Sequence, residues 1–330
     1  MSQTVGTVFA VQANFYRVMC DGRELLCTRR ANLKKMGQMV CVGDRAVLEE
    51  IYGDRGVISA VLPRCSYLER PAIANLNRIL LVCALSDPAP DPWQISRFLV
   101  HAELAKVPIV VGWSKSDLVS RTYAQAWSDR LREWGYESCI FSSRTGEGIT
   151  ALLTKIGDGI TLLTGQSGVG KSSLINYLLP HLNLSTQSLS HKAKTGRHTT
   201  RHVQLFPLPS SATAYLADSP GFLQPQLQIT PAQLAQAFPE IRHRLQTATC
   251  EFANCQHQQE PNCVVRGDWE RYAHYLAWLE ELPTKVPPLT ATTKIKSAKY
   301  GTERRELLLS KQQRQMSRRR LHQSTSHESD

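Results

Sequence analysis

The stretch that most limits what this chain can fold into is Gly165-Gln166-Ser167-Gly168-Val169-Gly170-Lys171-Ser172, which fits G-x-x-x-x-G-K-[ST]. Ahead of it, Ile160-Thr161-Leu162-Leu163-Thr164 is short, apolar and rich in β-formers, and reads as a buried strand. Behind it, Ser173 to Leu179 spaces its apolar residues like a helix that stops before Pro180. Strand, glycine loop and helix in that order predict a phosphate-binding loop. The glycines let backbone N–H groups turn inward onto phosphate oxygens, and the helix N-terminus adds partial positive charge. Residues Gly165 to Ser173 are the expected contacts. Lys171 would reach the β- and γ-phosphates and Ser172 would ligate Mg²⁺. The plainer reading is a glycine turn with a chance lysine, and the flanking elements argue against it.

A chain of 330 residues exceeds one ordinary core and predicts two or three domains. No apolar run is long enough to span a bilayer, and the N-terminus lacks a basic-then-apolar signal pattern, so a cytoplasmic protein without membrane contact is expected. In that compartment nine cysteines read as thiols or metal ligands, not disulfides. A formal charge of +11 fits a polyanionic partner, although solubility alone would also account for it.

Five short strands are expected in the first sixty residues: Thr7–Val11, Phe15–Cys20, Glu24–Cys27, Arg45–Glu49 and Val57–Val61, with an Asp21-Gly22 hairpin turn. That density without a long helix predicts a small barrel of the OB type. Such a module either binds RNA or only packs on its neighbour. Arg23, Arg29, Arg30, Lys34 and Lys35 favour RNA. Cys20, Cys27, Cys41 and Cys65 have no metal spacing and are expected to be small buried side chains. Arg64 to Pro71 reads as a linker. Strands Arg78–Leu85, Val107–Gly112 and Glu137–Phe141 then alternate with helices over Ile95–Ala105 and Tyr123–Trp134, as in a doubly wound α/β sheet with ligands at the carboxyl strand ends.

At one such end lies Ser114-Lys115-Ser116-Asp117, which resembles the N-K-x-D guanine-reading motif of GTPases, with Ser114 where Asn is usual. An aspartate there accepts from guanine N1–H and the exocyclic amine, which adenine does not offer together, and a mismatched base would leave the carboxylate unpaired. By itself the tetrapeptide is an ordinary solvated loop. Ser142-Ser143-Arg144-Thr145-Gly146 ends the next strand. After the phosphate loop come Lys194-Thr195-Gly196-Arg197-His198-Thr199-Thr200 and Asp218-Ser219-Pro220-Gly221-Phe222. In D-x-x-G, Asp218 would hold Mg²⁺ through water and Gly221 N–H would meet the γ-phosphate, with Thr199 or Thr200 closing on the metal. Further on, Cys250, Cys255, His257 and Cys263 form a Cys₃His set suited to one structural, tetrahedral Zn²⁺. His181, His243 and His274 lack such partners and are expected on the surface.

The base-reading pair precedes the phosphate loop, the reverse of the usual GTPase order. With the β-module, G-R-H-T-T, D-[TS]-P-G-F and C-x₄-C-x-H-x₅-C, the whole chain resembles the ribosome small-subunit-dependent GTPase family, RsgA. The resemblance implies a multi-domain fold: an N-terminal OB-type β-barrel (1–66) binding RNA, a central α/β circularly permuted P-loop GTPase (67–226), and a C-terminal mostly helical zinc-binding domain (227–330). It implies GTP/GDP, Mg²⁺ and Zn²⁺ as ligands. Ser142 and Ser143 would stand where the family turn sets backbone donors near guanine O6. The small ribosomal subunit and its rRNA would be partners of a monomer, with the subunit stimulating hydrolysis. Ser219 replaces the usual Thr.

Many GTPases carry a water-orienting Gln just after D-x-x-G, and Phe222 cannot serve. His198 is the candidate replacement beside Lys171 and Gly221, or else it structures its loop or touches RNA. Arg271–Leu282 is expected to be helical. From Lys294 on, the basic tail is either a helix docking Leu307-Leu308-Leu309 with its charges on rRNA phosphates or a solvated segment, and an RNA-binding context favours the phosphate contacts. A non-catalytic RNA-binding zinc protein with a degenerate pocket is the alternative, favoured by Ser114 and opposed by Lys171, Ser172 and Asp218. An ATP-dependent kinase is disfavoured by Asp117.

Overall fold

The computed structural model describes residues 4–69, 71–182, 203–209, 211, 213–218, 229–282, 294–296 and 304–306. Backbone contacts divide the chain into two units, Met1–Leu282 and Pro283–Asp330.

Period-two alternation builds the first part. In β1 (Thr4–Gln12), β2 (Phe15–Cys20) and β3 (Arg23–Arg29), residues such as Val8, Tyr16, Val18, Leu25 and Cys27 point inward. Asp21 and Gly22 both take positive φ, as the two-residue β2–β3 hairpin turn requires. A short helix, α1 (Ala31–Lys35), precedes β4 (Arg45–Tyr52) and β5 (Arg55–Val61). β1 pairs with β2 and β4, β2 with β3, β3 in parallel with β5, and β5 with β4, so five strands close into a barrel. Its exit is clamped by Asp44, fully buried, whose carboxylate accepts from Arg64 Nε at 2.7 Å and Cys41 N at 2.8 Å. The expected linker carries two short paired strands, β6 (Tyr67–Leu68) and β7 (Ile73–Ala74). Cys65 there is exposed, not buried as expected, because the segment runs over the surface at the barrel exit.

A parallel sheet follows: β8 (Leu76–Ala84), α2 (Pro92–Leu104), β9 (Ile109–Ser114), α3 (Arg121–Glu133), β10 (Glu137–Ile140), α4 (Ile149–Ile156), β11 (Gly159–Thr164), α5 (Lys171–Leu178), β12 (Gln204–Pro207) and β13 (Ala214–Asp218). Asp91 caps α2, accepting from Trp93 N at 2.9 Å, with Pro92 in its first turn, and Ser120 caps α3. Strand order is β10-β9-β8-β11-β13-β12, with only β12 antiparallel. The succession β8, β9, β10 runs one way and β11, β13 the other, so the order reverses between β8 and β11. Alternate residues of β8 feed two cores. Ile79 and Leu81 face α2 and α3; Leu80 and Val82 face α4 and α5. β12 also pairs with barrel strand β1, Ala10 opposite Gln204, so barrel and parallel sheet share one continuous eleven-stranded sheet.

Among the described residues three helices follow: α6 (Pro231–Gln236), α7 (Pro239–Thr247) and α8 (Tyr272–Glu281). A capping box between Thr230 and Gln233 starts α6. These helices bury Leu234, Phe238, Ile241, Tyr275 and Trp278 against Val100 of α2. His274 is buried, not a surface residue, because α8 lays its ring 3.9 Å from that of Trp93 on α2. His181 and His243 are exposed. Arg271 is fully buried. Its guanidinium lies 4.7 Å from the Phe238 ring and 5.2 Å from that of Trp134, and Nε is 3.2 Å from Glu240 Oε1. In the second unit β14 (Lys294–Lys296) and β15 (Arg304–Glu306) pair antiparallel, where a helix or a solvated tail was expected. Leu307 to Leu309 and the residues beyond lie outside the described residues. Among the described residues no helix is long and apolar enough to cross a membrane.

Candidate functional site

Sheet register brings the separated motifs to one edge. Ala84 of β8 stands opposite Ser114, Trp113 opposite Ile140, Thr164 opposite Leu81, and Leu163 opposite Asp218. Parallel strands therefore release Ser114–Asp117, Ser142–Gly146, the glycine loop and Asp218 on the same side.

Ser114 is 2% exposed, and its hydroxyl donates to the carbonyl of Val169 inside the glycine loop at 2.6 Å. Two loops fifty-five positions apart are thus joined directly. Lys115 takes a left-handed conformation, φ 59°, and its ammonium donates to the Asp87 carbonyl. Asp117 Oδ1 accepts from Ser142 Oγ at 2.5 Å and Oδ2 from Arg144 Nε at 2.7 Å. The Ser142 hydroxyl in turn accepts from the N–H groups of Arg144 and Thr145, both at 3.2 Å, so its own proton is directed at Asp117. The Ser142 hydrogen bond, aided by Arg144 and opposed by burial, holds the Asp117 carboxyl below its usual range. Ser116 N donates to Phe141 O at 3.3 Å, which knits the two turns together. Ser143 sits in the second turn between Ser142 and Arg144.

The glycine loop has the backbone its sequence calls for. Gly165 has φ 143°, and a Cβ there would lie 2.2 Å from Val82 O on β8. Gly170, φ 95°, makes the left-handed entry into α5. Val169 is buried beneath the loop, while Ser167 and Gly168 are exposed. Lys171 Nζ donates to Gly165 O at 3.0 Å and to Gln166 O, so the ammonium sits within the curl. Burial lowers the Lys171 pKa and the Asp218 charge opposes the shift, so that carboxylate acts on the lysine. Ser172 follows in the first turn of α5, with Ser173 exposed beside it. Ser172 hydroxyl and Asp218 carboxylate are hard oxygen donors of the kind that suits Mg²⁺, and the Lys171 ammonium beside them suits phosphate oxygens. His198, Thr199, Thr200, Ser219, Gly221 and Phe222 lie outside the described residues.

Cys250, Cys255, His257 and Cys263 converge, with their ligand atoms all within 4.8 Å of one another. Cys250 Sγ lies 3.6 Å and Cys263 Sγ 3.4 Å from His257 Nδ1, and the two sulfurs are 3.9 Å apart. A tetrahedron around zinc with Zn–S of about 2.3 Å and Zn–N of about 2.0 Å has edges of about 3.5–3.8 Å. Cys250, His257 and Cys263 therefore fit that ion in both chemistry and span, and Cys255 supplies a fourth donor within 4.8 Å of the others. Glu260 closes the loop by accepting from the N–H groups of Gln256 and Gln258 at 2.6 and 2.8 Å. Tyr272 and Tyr275 of α8 hold it from below, donating to the His257 and Gln256 carbonyls.

Sequence reasoning assigned no role to three residues that shape the nucleotide site. Arg144 pairs with Asp117, the Asp87 carbonyl anchors Lys115, and a Cβ on Gly146 would lie 2.5 Å from Tyr177 Oη of α5. Asp87 and Tyr177 lie in no motif, and Arg144 could have been flagged as a cation within the turn that follows β10.

A profile of the RsgA GTPase family matches residues 61–228. A protein of Microcystis aeruginosa, "Small ribosomal subunit biogenesis GTPase RsgA", is 50% identical over 97% of this chain and 92% of its own length. The Thermosynechococcus vestitus protein of the same name is 49% identical over 98% of this chain and 96% of its own. Among solved structures, YjeQ from Thermotoga maritima superposes with a TM-score of 0.72 at 28% identity, covering 85% of this chain and 99% of that one. YloQ, described as a circularly permuted GTPase, gives 0.70 at 26% identity, covering 85% and 95%.

Proposed function

Because this chain belongs to the RsgA GTPase family, we propose that it hydrolyses GTP in the maturation of the small ribosomal subunit, with the subunit stimulating turnover. The observation that carries the reading is the Ser114–Val169 hydrogen bond of 2.6 Å, which joins a base-reading loop to a phosphate loop written later in the chain. It gives a guanine on Asp117 and phosphates on Lys171 a common frame.

In this reading the N–H groups of residues 165–170 and the Lys171 ammonium bind the phosphates and counter charge that builds up during transfer. Asp117 stays ionised and accepts the two guanine donors, and Ser142 and Ser143 border the base. Ser172, Asp218 and Thr199 would hold Mg²⁺, which family membership implies and which would supply positive charge to the phosphates. Gly221 would bind the γ-phosphate. His198 would orient water or accept its proton where Phe222 cannot, leaving a slow site that the ribosomal subunit completes.

The barrel's strand order, with β3 parallel to β5 and β4 closing on β1, supports an OB-type module, and Arg23, Arg29 and Arg30 supply charge for rRNA phosphates. Residues 1–66, 67–226 and 227–330 would be its RNA-binding, GTPase and zinc-binding domains, the last mostly helical and holding one Zn²⁺ on Cys250, Cys255, His257 and Cys263. A cytoplasmic monomer suits a protein that docks on a ribosomal particle. Nucleotide competition followed by turnover with and without purified small subunits tests the proposal. Guanine preference with subunit-stimulated turnover is expected. Absent turnover would favour a degenerate pocket, and adenine preference a kinase.

A further inference from the structure

From the contacts of Asp117 we infer that Arg144 is an affinity-determining residue, an internal competitor that guanine must displace from Asp117. The inference rests on the guanine reading of Asp117 proposed above.

The Asp117 side chain is only 9% exposed. Ser142, fully buried, holds Oδ1 from within, with its hydroxyl proton fixed by the two N–H groups it accepts. Arg144 Nε takes Oδ2 at 2.7 Å, with its own side chain 72% exposed. The carboxylate is therefore anchored on its inner side and capped on its outer side. A guanine offers two donors side by side and needs both oxygens across one open face. That face is the one the guanidinium covers.

The two neighbours of Asp117 differ in how easily they leave. Ser142 is buried in a turn whose backbone groups orient it. Arg144 is a flexible arm, permanently charged, held by a single mostly solvated contact. Exposed pairs of this kind are weak, so the closed arm dominates by about two- to fivefold and no more. Exposed side chains reorient far faster than nucleotides associate. The arm therefore acts as a rapid pre-equilibrium, and apparent affinity falls by the fraction of molecules in which Asp117 is open. Adenine offers no matching donor pair and has no reason to move the arm.

The test is binding of fluorescent mant-GDP and mant-ADP to the full-length wild type, R144A and R144K. R144A is expected to bind mant-GDP about three- to sixfold tighter, with the gain in the association rate and no gain for mant-ADP. R144K keeps a cation within reach and should lie between R144A and the wild type. Salt screens exposed pairs, so the advantage of R144A should shrink as ionic strength rises. If Arg144 instead held Asp117 from a side that guanine leaves free, R144A would bind mant-GDP equally or more weakly, and the inference would be overturned. An equal change for both nucleotides would also overturn it, since that reports only a lost charge near phosphates. A wild type without preference for mant-GDP over mant-ADP would sink the guanine reading itself, which is a separate failure.

Discussion

Replacing Ser114 with alanine deletes a buried hydroxyl that donates to Val169 O at 2.6 Å, with a weaker acceptor, Cys83 O, at 3.3 Å. The side chain loses one oxygen atom and almost no volume, so packing terms are small. A net hydrogen bond is worth about 1 kcal/mol, and a buried carbonyl left without its donor adds to that, for a total of about 1–2 kcal/mol. This bond exists in the folded chain without nucleotide, so the loss should appear in urea unfolding as a lower midpoint at unchanged slope. A second effect should appear in binding. On the proposed reading GDP would span both loops, so slackening the tie would let base and phosphate sites drift out of register. Pyrophosphate touches only the glycine loop and should be indifferent. Expected for S114A is a loss of GDP affinity of about three- to tenfold, equivalent to about 0.7–1.4 kcal/mol, with pyrophosphate competition unchanged. Denaturant titration and competition binding give both numbers. If S114A unfolds and binds GDP as the wild type does, the hydroxyl does not join the loops and the shared frame has no such basis.

Gly165→Ala should abolish GDP binding and lower stability by about 3 kcal/mol or more, since a Cβ would meet Val82 O at 2.2 Å in a left-handed backbone; thermal melts and GDP titration check this. The purified protein should carry one zinc per chain by atomic absorption. A strong chelator or C263S should remove it and disturb the near-UV signal of the tyrosines packed beneath, Tyr272 and Tyr275. Burial, helped by nearby arginines, pushes His101 and His274 down to about 4 from 6.5. The unfolded chain binds those protons first. Stability is therefore full above about pH 6.5 and should be lost as pH falls from there towards 4, and His274→Leu should flatten that slope in urea titrations at successive pH values.

Motifs made of backbone requirements were legible in advance. Glycines that must curl around phosphate, thiols and an imidazole at ligand spacing, and apolar runs covered on both faces announce themselves because few other residues would serve. What a side chain meets across the fold was not legible. Ser114 read as a shortened base contact, but its partner is a carbonyl fifty-five positions later, visible only once β9 and β11 flank β8. Arg271 carries a charge and His274 an ionisable ring, and local sequence would leave both in water. Aromatic walls from α2, α3 and α7 bury them instead. Helix α4 escaped notice because eight residues hold barely two turns of pattern, and α7 because Pro239 reads as a break when it stands in the first turn.

The pairing of Ala10 with Gln204 has a mechanical consequence. Gln204 also faces Asp218, so a single crosswise row runs from the barrel wall through β12 to the Asp218 carboxylate. Two strand spacings of about 4.8 Å separate its ends, roughly 10 Å in all. A module on a loose tether could tilt against its docking surface without the chemistry noticing. This one is welded, and a torque applied to the barrel by a docking partner would bend the ribbon on which Asp218 rides.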